Sequence, residues 1–233
     1  MEKPAIVVQA RLSSVRFPRK VLISIAGMPL ILHIAFRLRK LELPLFVLTS
    51  NDYRDDELVS LLRQHRIDFF RGDLTNVLER YNSFLSHHSF ASVIRISADS
   101  PLIHPAIVIE ACNLATKATP FDIITNVFPR SFPRGQSVEV INKQALGIAI
   151  DEARDPADFE HVTSFFYRNN SRFKIVNFSS KSDLSSWNLC VDQPNDISRL
   201  KTIFESTLTH PETDSLWNDW DEFVKVLRKL EPK

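Results

Sequence analysis

Glycine is scarce: 4 in 233 residues, at Gly27, Gly72, Gly135 and Gly147, against about 7% in ordinary usage. A Walker-type loop needs glycines ahead of Gly-Lys-Ser/Thr and a dinucleotide fingerprint needs three close together, because backbone must reach phosphate without a Cβ in the way. Neither pattern occurs, so any phosphate held by this chain is held largely by side chains. Cysteine is equally sparse. Cys112 and Cys190 stand far apart and form no C-x-x-C pair, which argues against zinc and disulfide frameworks and suits a reducing cytosol. Lys+Arg 29 against Asp+Glu 28 leaves a net charge of +1, too little field to draw duplex nucleic acid or an anionic membrane as the main partner. No window approaches the roughly 18 apolar residues of a spanning helix, and the opening MEKPAIVVQA reads as a strand rather than a signal peptide. The expectation is a soluble, cytoplasmic protein with no nucleic-acid or membrane partner.

What is present is 44% hydrophobic and 24% charged sequence, ordinary for a globular protein. At this length one α/β domain over residues 1–233 is expected. Ile6-Val7-Val8 is a β-branched run suited to a strand buried on both faces. The spacing of Leu30, Ile31, Ile34, Ala35 and Leu38 predicts an amphipathic helix within Met28 to Leu41. Further strands at Leu45 to Leu48, Ile67 to Phe70 and Val93 to Ile96 alternate with helices at Asp55 to His65, Asn76 to His87 and Pro105 to Ala118. Four βα units imply a mixed, mostly parallel sheet flanked by helices.

Past Pro120 the rhythm changes. Phe121 to Ile124, Val138 to Ile141, Phe173 to Phe178 and Leu189 to Val191 read as strands, the last one short. Gln144 to Ala153, Phe159 to Tyr167, Asp196 to Leu208 and Trp217 to Leu230 read as helices. Trp187, Trp217 and Trp220 fit packing anchors better than base-stacking platforms. The acids Glu212, Asp214, Asp219, Asp221 and Glu222 read as a solvated face.

Charge is unbalanced in one place. Residues 1–40 carry eight basic residues and one acid, and four of the eight, Arg11, Arg16, Arg19 and Lys20, lie within ten residues. That stretch follows strand one, at the sheet edge where ligands bind in open α/β folds. Its cations, with the hydroxyls of Ser13 and Ser14, can supply charge-assisted donors to a triphosphate. A solvated basic loop is the plain alternative.

Strand one followed by A-R-x-x-S-x-R-x-x-x-K resembles the first phosphate-binding loop of the sugar cytidylyltransferases, closest to the spore-coat polysaccharide (SpsF) branch. The resemblance runs through six blocks in order: Gln9-Ala-Arg11 to Lys20-Val-Leu; Phe70-Arg-Gly72 with Val77-Leu-x-Arg80-Tyr81; Arg95-Ile-x-x-Asp99-x-Pro101; Phe132-Pro-Arg-Gly135 with Glu139-Val; Glu160-His161-Val-Thr163; and Val191-Asp192-x-Pro194-x-Asp196. It implies a glycosyltransferase-A-like nucleotidyltransferase fold and transfer of CMP from CTP to a small sugar acceptor, an acid sugar or sugar phosphate, with pyrophosphate release. It also implies nucleotide contacts from Gln9, Ala10, Arg11, Ser13, Ser14, Arg16, Lys20, Arg80 and Ala98, with Arg11, Lys20 and Asp99 catalytic. Asp99 and Asp192 become ligands of Mg²⁺, an ion that takes one or two carboxylates plus substrate phosphates, and Asp196 becomes a helix cap. Arg134, Glu139, Glu160 and His161 face the acceptor in this family, although a lone histidine is more often structural. Arg80 and Arg95 fit either a nucleotide pocket or structural ion pairs.

Two positions depart from the family: Ser13 and Arg19 stand where glycine is usual. They motivate a competing reading, a non-catalytic nucleotide-binding homologue. A glycosyltransferase is a second competitor, but its customary Asp-x-Asp is replaced here by Ala98-Asp99-Ser100-Pro101. The family's habit of pairing makes Phe121 to Arg134, apolar and rich in proline, a candidate homodimer contact.

Overall fold

The computed structural model describes residues 4–14, 16–118, 120–208 and 216–230. Strand β1 (Ala5–Gln9) lies inside a seven-stranded sheet, flanked by β4 (Leu45–Ser50) and β6 (Ser92–Ser97), both parallel to it. Beyond β4 is β5 (Asp68–Gly72); beyond β6 come β8 (Glu139–Asn142), β7 (Ile123–Thr125) and β9 (Ile175–Asn177). Only β8 runs against its neighbours, so the mixed, mostly parallel sheet expected from the sequence is present. A two-residue hairpin of β2 (Ser24–Ile25) and β3 (Met28–Pro29) stands apart from it.

Alternation along β1 sets the two layers. Ile6 and Val8 face α1 (Leu30–Arg39), α2 (Asp56–Gln64) and α4 (Pro105–Lys117), whereas Ala5 and Val7 face α3 (Val77–His87), α5 (Lys143–Glu152) and α7 (Ser164–Arg168). Buried on both faces, β1 must be apolar throughout, as its sequence is. A third apolar cluster joins Leu30 and Leu102 to α8 (Pro194–Leu208) and α9 (Trp220–Leu230), and Trp187, Trp217 and Trp220 pack against it.

Three elements differ from the sequence reading. Phe159 to Tyr167 is two short helices, α6 (Pro156–Glu160) and α7, because the chain leaves helical geometry at His161. That break points Glu160 and His161 toward the sheet edge. Leu189 to Val191 joins no strand ladder; it runs between two loops, with Leu189 N–H donating to Arg134 O (2.7 Å) and Val191 N–H to Asp99 O (2.8 Å). Trp217 precedes the last helix, whose start is capped by Asp219 accepting from Asp221 N–H at 2.9 Å. Glu212 and Asp214 lie outside the described residues. Within Phe121 to Arg134, β7 is paired on both sides and Phe132 is buried. Among the described residues no helix is long and apolar enough to cross a membrane.

Candidate active site

Parallel strands β1, β4, β5 and β6 end at one edge, and a cleft of about 280 Å³ opens there. Gln9, Ala10, Arg11, Ser14, Arg16 and Lys20 line it from the loop after β1; Arg95, Ser97, Ala98 and Asp99 line it from β6; Glu160 and His161 close it from the α6–α7 break. Residues from five of the six motif blocks therefore stand in or around one cleft, although more than 140 positions separate Arg11 from Glu160.

The basic loop keeps its shape without the usual glycines. Arg19 N–H donates to Leu12 O at 2.9 Å, closing the loop, and Lys20–Leu22 continues as a 3-10 turn. Arg19 adopts φ 61°, the left-handed conformation that glycine takes freely and other residues take at a cost. Its guanidinium turns out of the cleft to Glu57, 2.7 Å away. A buried carboxylate that the sequence reading missed anchors the other end. Asp55, fully buried, accepts from Leu12 N–H (2.7 Å), Thr49 Oγ1–H (2.9 Å), Ser50 N–H (3.0 Å) and the Ser50 hydroxyl.

Each cation facing the cleft has a carboxylate partner. Arg11 holds Glu160 through both guanidinium nitrogens, at 2.5 and 3.2 Å. Lys20 Nζ, mostly buried, donates to Val191 O (2.7 Å) and lies 3.2 Å from Asp99 and 3.6 Å from Asp192. Asp192 also meets Arg134 (3.0 Å) and, more loosely, Arg16 (3.4 Å). Asp196 accepts from the N–H groups of Asp192 and Gln193, each at 2.8 Å, the capping role expected of it.

Gly135 brings Arg134 to this cluster. With φ 92°, it lies so close to the 189–190 backbone that a Cβ there would sit 2.7 Å from the Leu189 carbonyl carbon. Cys190 stands beside both aspartates; burial first, then their negative charge, pushes its thiol up to about 12, which leaves it protonated and unsuited to nucleophilic chemistry.

Two expected contacts lie elsewhere. Arg80, expected at the nucleotide, is fully buried and donates to Asp73 O (2.5 and 2.9 Å) and Leu74 O (3.1 Å). Gly72 makes room for it, since a Cβ there would sit 2.7 Å from Arg80 Cγ. It braces the turn whose Leu74 O accepts from Arg11 at 3.2 Å. Glu139, expected at the acceptor, is buried and spent on Arg95 and on Tyr167 O–H at 2.5 Å. The register explains this: Arg95 on β6 and Glu139 on β8 are direct partners. Burial opposes the charge on Arg95, but Glu139 and Tyr81 beside it more than offset that, so its pKa is raised. Ser13, Arg134 and Asp192 do not line the cleft; Asp192 stands behind Lys20 and Arg16, and Arg134 pairs with Asp192.

For a metal, the described residues offer no group of three or more acidic, histidine or cysteine side chains. Asp99 and Asp192, both within reach of Lys20 Nζ, form a two-carboxylate oxygen donor set. That set fits Mg²⁺ completed by substrate phosphates and water rather than a fully protein-built cage.

A mixed sheet in this order, with a basic loop after its first strand and a cleft where its parallel strands end, is a nucleotidyltransferase fold. A solved cytidylyltransferase from Leptospira borgpetersenii shares it with a TM-score of 0.90, at 24% identity over 99% of this chain and 97% of that one. The cytidylyltransferase family model matches residues 5–226, and the chain belongs to that family. Among relatives, the spore coat polysaccharide biosynthesis protein SpsF of Bacillus subtilis is 24% identical over 90% of this chain and 89% of its own. A 3-deoxy-manno-octulosonate cytidylyltransferase of Nitratiruptor is 32% identical over 49% of this chain and 48% of its own, so that match spans about half of each.

Proposed function

We propose that this chain transfers CMP from CTP to an acid sugar or sugar phosphate, releasing pyrophosphate, as a cytoplasmic, Mg²⁺-dependent step in cell-surface polysaccharide synthesis. The observation that carries this reading is the cleft itself, where Arg16 and Lys20 stand against Asp99 and Asp192, and Arg11 against Glu160. Membership in the family supports the cytidylyl group. The names of the relatives, a manno-octulosonate enzyme and a polysaccharide protein, support the acceptor class.

In this reading the acceptor oxygen attacks the α-phosphorus, and where that oxygen is a hydroxyl its proton passes to solvent. The new O–P bond forms as the bond to the β-phosphate oxygen breaks, and the electron pair leaves with pyrophosphate. The transfer needs alignment and charge neutralisation more than covalent help from the protein. Lys20, fixed by Val191 O, and Arg16 neutralise the phosphates, and Arg11 adds a fork suited to a phosphate edge. Asp99 and Asp192 would hold Mg²⁺, whose chemistry is to polarise phosphate oxygens and draw off developing charge. In this reading Gln9 and Ala10 contact the nucleoside, and Glu160 and His161, which line the same cleft, contact the acceptor.

The test is pyrophosphate release from CTP and Mg²⁺ across a panel of acid sugars and sugar phosphates. Turnover with at least one acceptor is expected, falling about 100-fold or more in Asp99→Asn. Full turnover in that variant overturns the metal assignment, and no turnover with any acceptor overturns the reading.

A further inference from the structure

Arg11 is the cation of the basic loop that a single carboxylate holds through two guanidinium nitrogens. Its guanidinium meets Glu160 edge to edge at 2.5 and 3.2 Å, and Nη1 also donates to Leu74 O. This fork-on-carboxylate geometry is the one in which a guanidinium takes two oxygens of a phosphate. Lys20, by contrast, divides its ammonium among a backbone carbonyl and two aspartates with no fork to offer, and Arg16 is exposed and held loosely, 3.4 Å from its aspartate. Glu160 is the last residue of a five-residue helix, at the break before α7. Among the described residues its carboxylate has no hydrogen-bond partner other than Arg11.

We propose that Glu160 sets how tightly the cleft holds phosphate, by occupying on Arg11 the position that a nucleotide phosphate must take. The inference rests on the cytidylyl-transfer reading for the identity of the nucleotide. A phosphate can engage the Arg11 fork only after Glu160 has left it, so the measured affinity is the intrinsic one reduced by the fraction of molecules in which the pair is open. The same exchange leaves the Glu160 carboxylate free beside His161. Glu160 thereby becomes an affinity-setting residue, placed on the phosphate loop by the α6–α7 break.

The experiment is calorimetric titration of CTP, pyrophosphate and cytidine into wild type, Glu160→Gln, Arg11→Ala and the double variant. Glu160→Gln is expected to tighten CTP and pyrophosphate by about fivefold, the worth of a strong, partly exposed ion pair. Cytidine, which carries no phosphate, should show no change. In the Arg11→Ala background the same substitution should leave CTP affinity unmoved, a result that a merely structural role for Glu160 does not produce. Unchanged or weaker CTP and pyrophosphate binding in Glu160→Gln overturns the proposal, as does equal tightening of cytidine or tightening that persists without Arg11. Wild-type binding of CTP with no effect of Glu160→Gln removes this inference and leaves the cytidylyl reading standing. Tightened pyrophosphate without any CTP binding does the reverse, and no binding of either anion by any variant removes both.

Discussion

Replacing Asp55 by Asn removes a charge while keeping the shape, at a carboxylate fully enclosed by protein. Its Oδ2 takes three donors, from Thr49 Oγ1, Ser50 N and Ser50 Oγ, and its Oδ1 takes Leu12 N–H at 2.7 Å. An asparagine has one acceptor oxygen, best spent on the three-donor side. Its amide N–H₂ then faces Leu12 N–H, donor against donor. The variant loses one charge-assisted bond, about 1.5–3 kcal/mol, and strands a buried donor, about 1–3 kcal/mol; because such costs overlap, about 3 kcal/mol is the net expectation. For a chain of this length that is a fall in Tm of about 6–12 °C. Since Leu12 begins the phosphate loop, CTP affinity should fall as well. Urea unfolding and calorimetry check both effects. An Asp55→Asn protein as stable as wild type, with unaltered CTP affinity, refutes the argument that this carboxylate fixes the loop.

The remaining predictions concern pH and the basic loop. His104 is buried, donates from Nε2 to Leu216 O at 3.0 Å, and accepts Ala106 N–H at Nδ1; burial lowers its pKa to about 4. Below about pH 6.5 the unfolded chain binds a proton that the folded chain refuses, so stability present above that pH is lost as pH falls toward 4, by about 2 kcal/mol between pH 7.5 and 5. His33, also lowered by burial, acts in the same sense, and urea unfolding at the two pH values reads the sum; a flat profile contradicts it. Arg19→Ala should leave CTP affinity within about twofold, because that side chain forms an exposed ion pair with Glu57 outside the cleft. A large loss by calorimetry would place Arg19 on the nucleotide after all.

The alternation of apolar strands and amphipathic helices through Ala118 was legible because each element carries its own period: β-branched runs for strands buried on both faces, and three- or four-residue spacing for helices packed on one. That Arg11 and Asp99 line one cleft was legible because each sits just past a strand end, where chain direction puts it at the ligand-binding edge. What was not legible depends on pairings between distant segments. The resemblance placed Glu139 at the acceptor, but the antiparallel register sets it opposite Arg95, 44 positions away. Arg80 fitted a nucleotide pocket or a structural ion pair, but its partners are the carbonyls of a turn, which leave no trace in side-chain pattern. Asp55 read only as the start of a helix, although the preceding Thr49-Ser50 pair, two hydroxyls at a strand end, was the available signal. The helix break at His161 was hidden because Phe159, Val162, Phe165 and Phe166 keep an apolar rhythm across it, and the departure lies in backbone angles alone.

The most direct measurement is a thermal-shift panel of CTP, UTP, ATP, GTP and nucleotide sugars, each with and without Mg²⁺. At about 100 times the dissociation constant, a bound ligand adds about 2.7 kcal/mol, a rise in Tm of about 5–11 °C for a chain of this length. The account predicts that rise with CTP, enlarged by Mg²⁺. A shift confined to nucleotide sugars, or none with any nucleotide, contradicts it.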